Sequence, residues 1–115
     1  MEMINRSAII VKPRQVYLEW AKQDDSEGVA ESVFESLHKE PHVYLLPEYE
    51  DPGSELEVLE EIWPTLFEAM LAGWLRDPEC WPQKRTFEMF REWFEIQMRS
   101  VVEDMYLDEP LESIE

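Results

Sequence analysis

From Ser54 to Leu75, apolar side chains recur every three to four residues: Leu59, Ile62, Trp63, Leu66, Phe67, Met70, Leu71, Trp74 and Leu75. This spacing puts them on one broad stripe of a helix, and a stripe so wide is stable only when another element covers it. Ser54-Glu55-Leu56-Glu57 fits a capping box, in which the serine hydroxyl and a glutamate three residues on satisfy the first helical N–H groups. Pro64 interrupts the pattern. It has no N–H for the Glu60 carbonyl, which predicts a kink or a break and restart. Arg76-Asp77-Pro78 ends the helix. The rest of the chain must supply its cover.

Two short runs are candidates. Ser7-Ala8-Ile9-Ile10-Val11 is apolar and β-branched and is too short for a core helix, so it reads as a buried strand over 7–11. His42-Val43-Tyr44-Leu45-Leu46 reads as a second, over 42–46, stopped by Pro47. Pro13 suits the first turn of a helix, and Val16, Tyr17, Trp20 and Ala21 share a face of a helix over 13–23. Asp24-Asp25-Ser26-Glu27-Gly28 is a turn or helix-start signal, followed by Val29, Val33, Phe34 and Leu37 at helical spacing over 27–38. Both runs follow the order strand, proline, helix. Their residues do not otherwise match, so they are not a repeat. Glu48-Tyr49-Glu50-Asp51-Pro52-Gly53 is an acidic loop with a Pro-Gly turn.

Trp81 to Phe94 gathers two of the five tryptophans, three of the five phenylalanines and three of the ten basic residues. Thr86 is a suitable N-cap and Glu88 a suitable first-turn acid for a helix over 86–93. Beyond it the pattern is double. Phe87, Phe90, Phe94, Met98, Val101 and Met105 fit one long helix, whereas Phe94, Ile96, Met98, Ser100 and Val102 alternate as a strand. Two strands alone make a marginal sheet, and a third over 95–103 completes it. The expected fold is therefore α+β in two layers, a small three-stranded sheet covered by four helices. Connections of this length also permit parallel crossovers and so a mixed sheet. The alternative is an all-α bundle with 86–106 as one helix.

Several of these stretches together resemble a group of small acidic bacterial proteins known only as hypothetical. The matching pieces are Asn5-Arg6-Ser7-Ala8-Ile9-Ile10-Val11, Val43-Tyr44-Leu45-Leu46-Pro47-Glu48, and Trp81-Pro82-x-x-Arg85-Thr86-x-x-Met89-Phe90-x-x-Trp93-Phe94 with Val102-x-Asp104. The resemblance spans most of the chain. It implies a strand after the final aromatic pair and places Met1-Glu2 ahead of the usual start. No activity is attached to the group, so the resemblance brings no catalytic or binding residues.

Charge narrows the functional classes. The chain has 115 residues, 27 acids and 10 bases, a formal net charge of −17. That field opposes direct binding to nucleic-acid phosphates or anionic membranes. Residues 23–61 hold thirteen of the acids and one base, while residues 62–102 are near neutral. No apolar run approaches a membrane span, and nothing at the N-terminus reads as a signal peptide. Cys80 is the only cysteine, so no internal disulfide or cysteine-based zinc site can form. The expectation is a cytoplasmic protein with a globular domain over 1–106 and an acidic tail, 107–115, that frays.

Four constellations remain. Trp81, Lys84, Arg85 and Arg91 could form a cation-lined aromatic patch for an anionic contact; the plainer reading puts the aromatics against the 54–75 helix. His38 and His42, with Glu40, Glu48, Glu50 and Asp51 nearby, are a conceivable divalent-metal set, although Pro41 breaks the helix that would align the two imidazoles. Nucleophilic catalysis lacks a recognisable Ser or Cys beside a histidine and an acid, and no glycine-rich phosphate loop is present, so no cofactor is implied. Finally, Glu55, Glu57, Glu60 and Glu61, behind Glu48, Glu50 and Asp51, make an acidic face that could meet a basic groove. The function expected is a non-catalytic, acidic protein-interaction module with a basic partner protein. The alternative is a small enzyme or metal protein using His38 and His42. Homodimerisation through the aromatic surface is a further possibility.

Overall fold

The computed structural model describes residues 2–114; Met1 and Glu115, at the two ends, lie outside the described residues. In chain order the elements are β1 (Glu2–Met3), β2 (Arg6–Pro13), α1 (Gln15–Lys22), α2 (Ala30–Lys39), β3 (His42–Pro47), α3 (Glu55–Ala72), α4 (Phe87–Trp93), β4 (Phe94–Arg99) and β5 (Glu103–Asp104). The fold is α+β, with four helices and a sheet in the order β3-β2-β4, and not an all-α bundle.

The sheet is antiparallel throughout rather than mixed. Val11 faces His42 on one side and Ile96 on the other, and both neighbours run against β2. The reason lies in the connections. α1 and α2 form a helical pair of similar lengths that returns the chain to the end of β2 it left, where His38 Nε2 lies 2.6 Å from the Pro13 carbonyl. α3, about 27 Å long at 1.5 Å per residue, then carries the chain from the far end of β3 back toward Pro13, where β4 begins opposite it.

Alternation along β2 separates two faces. Ser7, Ile9, Val11 and Pro13 point inward and are fully buried. Ala8, Ile10 and Lys12 point the other way. Opposite the inward set lie Tyr44 and Leu46 of β3, and Phe94, Ile96 and Met98 of β4. Against this face pack Tyr17 of α1, Leu59, Leu66, Phe67, Met70 and Leu71 of α3, and Phe90 and Trp93 of α4. Phe67 is central, its ring 5.5–5.7 Å from those of Phe90, Trp93 and Phe94.

Several local expectations are corrected. Pro13 ends β2 instead of opening α1; as a terminal strand residue it forfeits no necessary ladder donor. α1 turns Leu18 inward and leaves Val16 exposed. α3 runs through Pro64 as one helix. The capping box does not form, because Pro52–Ser54 is a 3-10 turn leading into the helix, and the Ser54 hydroxyl donates to the Asp51 carbonyl instead (2.7 Å). The expected strand 95–103 is divided. Ala8 faces Arg99 but Met3 faces Glu103, so residues 4–7 span the interval that 100–102 cover on the other side, an extra residue of the β-bulge kind. Beyond it, β5 pairs with β1, a short ribbon that the sequence reading did not anticipate. Buried Ser7 ties this junction: its Oγ donates to the Ser100 carbonyl (3.0 Å) and accepts the Tyr49 N–H (3.1 Å).

Candidate functional site

The four basic-patch residues have different surroundings. Trp81 packs partly buried against the core and donates its indole N–H to the Leu75 carbonyl (2.7 Å). Arg85 lies over the Trp81 ring, 5.8 Å from its centre, donates to the Pro82 carbonyl (2.7 Å) and pairs with Glu68 (3.0 Å). Both are engaged in holding the 73–86 loop to α3. Lys84 is exposed and makes no hydrogen bond or ion pair among the described residues. Arg91 stands over the Phe87 ring at 5.7 Å, and among the described residues its guanidinium has no hydrogen bond or carboxylate partner.

Arg91 leads to a feature that the sequence did not disclose. Between the N-terminal half of α3 and β4 lies an open groove of about 560 Å³. Its apolar lining is Leu56 and Leu59 from α3 and Phe94, Ile96 and Met98 from the inward face of β4, set among charged side chains. Arg14 and Arg91 border it with Glu55 and Glu92, and none of the four belongs to an ion pair among the described residues. The groove exists because β4 is an edge strand whose outer half is not fully roofed by α3. The alternation of Phe94, Ile96 and Met98 was legible in advance; that Phe94 is buried while Ile96 and Met98 stay partly exposed was not.

One member of the acidic face borders this groove. Glu55 lies on its rim, and Glu57, Glu60 and Glu61 follow on the exposed side of the same helix. Only three ion pairs form among the described residues, Lys12–Glu95, Lys22–Glu31 and Arg85–Glu68, so most of the described acids are not in an ion pair.

The histidines are apart in role. His38 closes α2, with Nε2 on the Pro13 carbonyl and its ring 4.5 Å from that of Phe34; a carbonyl can only accept, so this nitrogen carries the proton. His42 begins β3, with Nδ1 3.4 Å from the Tyr44 hydroxyl. Among the described residues no three His, Cys, Asp or Glu side chains are grouped to hold a metal ion. Cys80 is exposed, and local desolvation together with the carboxylates of Asp77, Asp24 and Glu79 pushes its thiol pKa up, the opposite of what a nucleophilic thiolate requires. No serine or cysteine hydrogen-bonds to a histidine among the described residues. Among them, too, no helix is long and apolar enough to cross a membrane.

Comparison with protein-family models, with curated proteins and with solved structures found no match. The functional reading therefore rests on the chain's own geometry.

Proposed function

We propose that this protein is a non-catalytic interaction module that binds a basic partner protein at the groove beside α3. The observation that carries the reading is the juxtaposition of a groove that holds apolar side chains within a charged rim with the unpaired carboxylates, among the described residues, of the first two turns of the same helix. A partner's apolar side chain would enter between Leu56 and Ile96, while its lysines and arginines meet Glu55, Glu57, Glu60 and Glu61. The −17 charge would steer such a partner from a distance and oppose phosphate backbones and anionic lipid. The lone thiol of Cys80 suits a reducing, cytoplasmic setting.

The test compares two variants of equal net charge for retention of proteins from lysate. E57Q/E60Q/E61Q should lose a basic protein that the wild type holds and releases with salt, whereas E31Q/E35Q/E40Q, on α2 and at its C-cap, should keep it. Equal loss from both variants would show attraction by bulk charge alone and reject the groove as the binding site.

A further inference from the structure

Among the described residues no layer covers the outward face of the sheet. Val43 and Leu45 of β3 are 60% and 50% exposed, beside half-buried Ile10 on the central strand. A sheet that meets water usually presents polar side chains there, so an apolar stripe running from its β3 edge to the central strand is unusual. The charge around the stripe is equally unusual. Among the described residues Arg6 and Arg99 flank it without a carboxylate partner, and their guanidinium hydrogen bonds there go to Asn5, Met98 and Gln97.

The segment with complementary properties is the chain's own C-terminus. Past β5, residues 105–114 form no helix or strand, only a turn closed by the Glu109 N–H on the Tyr106 carbonyl (2.9 Å). Leu111 and Ile114 are 72% and 99% exposed, and they alternate with Asp108, Glu109 and Glu112. In the single chain the tail stands clear of the sheet although it departs beside it, and both apolar surfaces remain in water. We propose that the outer sheet face receives the tail of a second copy of this chain. Exchange in both directions about a two-fold axis closes the assembly as a dimer, with two faces and two tails each covered once. Extended, ten residues reach about 33 Å, enough to run the length of the face. The acids of the tail then lie against Arg6 and Arg99, the local attraction that two strongly negative bodies need in order to associate. Their wider repulsion is screened beyond about 8 Å at physiological ionic strength.

Light scattering over a range of concentrations tests this. The full chain should reach twice its 13.8 kDa mass, and deletion of residues 107–115 should halve it. Leu111→Glu and Leu45→Glu should do the same while circular dichroism shows an intact fold, since both positions are exposed. A synthetic peptide of residues 105–115 should bind the deleted protein, and R6E/R99E should weaken that binding about tenfold or more. Combining R6E/R99E with E109K/E112K should restore the dimer. A full chain that is monomeric throughout, or a dimer that survives the deletion, overturns the proposal. A monomer whose deleted form binds the peptide also overturns it, because the tail then serves its own sheet.

Discussion

The Tyr17 hydroxyl donates to the main-chain carbonyl of Met70 at 2.8 Å in a buried bond that joins α1 to the last turn of α3. The carbonyl needs it. At the end of α3, Gly73 and Trp74 donate their N–H groups to Ala69 and Leu71, leaving Met70 without a main-chain donor. Tyr17 is thus a helix cap supplied from another element. Tyr17→Phe should lower unfolding free energy by about 1–3 kcal/mol, the cost of stranding a buried acceptor. Chemical denaturation measures it, and a change within error would show that water replaces the hydroxyl.

Burial, reinforced by the neighbouring Tyr44, pushes the Tyr17 pKa from 10.0 up to about 12. A pKa raised in the folded state means that folding opposes ionisation. The associated stability is complete below pH 10 and declines as pH rises toward 12. Wild type should lose stability steeply across that window, and Tyr17→Phe should flatten the loss in part, since burial also raises Tyr44. Equal slopes for the two proteins would dismiss Tyr17 as a source of the alkaline transition.

The same substitution should act in the opposite sense at Tyr49. Its hydroxyl is buried without a hydrogen-bond partner among the described residues, while its ring packs and its backbone N–H is held by Ser7. Tyr49→Phe removes only the unsatisfied group, so stability should rise by up to about 1 kcal/mol. A loss of stability would reveal a partner for the hydroxyl in solution.

What was legible in the sequence follows from what periodicity encodes. Leu59, Leu66, Phe67 and Met70 identified a helix and its buried side, and Ile9 and Val11 a buried strand, because burial repeats with local geometry. Strand partnership does not. Whether β3 and β4 run with or against β2 depends on how the intervening helices return the chain, and no residue in 7–11 or 42–46 states that. Thr86 was readable as a cap because its hydroxyl acts within three residues, accepting the Met89 N–H at 3.1 Å. The groove was not readable, since it depends on how far α3 overlaps β4. Trp81 and Arg85 drew attention as a basic aromatic cluster; their composition alone could not distinguish a surface for a partner from a clamp on the chain's own loop.

A cap in the acidic turn offers a local check. Both carboxylate oxygens of Asp25 accept helix-start N–H groups, from Val29 at 2.9 Å and Ala30 at 3.0 Å, and Gly28 between them has φ of 69°. Asp25→Ala should cost about 1 kcal/mol, as for other lost N-caps. Gly28→Ala should also destabilise, because an L side chain is strained at that φ although nothing lies near the added methyl. Asp24→Ala, one residue away and bonded through its backbone alone, is the control; if it matches Asp25→Ala, the effect is one of net charge.

Arg85 and Arg91, six residues apart, separate structure from binding. Arg85 is held from three sides, by the Trp81 ring, the Pro82 carbonyl and Glu68, and its side chain is 22% exposed. An exposed pair contributes little, and Glu68 is half-exposed. A double-mutant cycle between Arg85→Ala and Glu68→Ala should therefore give a coupling of about 0.2–1 kcal/mol, falling with salt. Arg85→Ala alone should cost more than that coupling, because it also removes the stack on Trp81. Arg91→Ala should lower the melting temperature less than Arg85→Ala, as among the described residues its guanidinium holds no carboxylate or carbonyl and it loses only the stack on Phe87. Instead it removes a like charge from the groove, so a basic partner should bind the variant as well as or better than wild type. Weaker binding would mean that the partner presents an acid to Arg91, and the groove would then read both signs of charge.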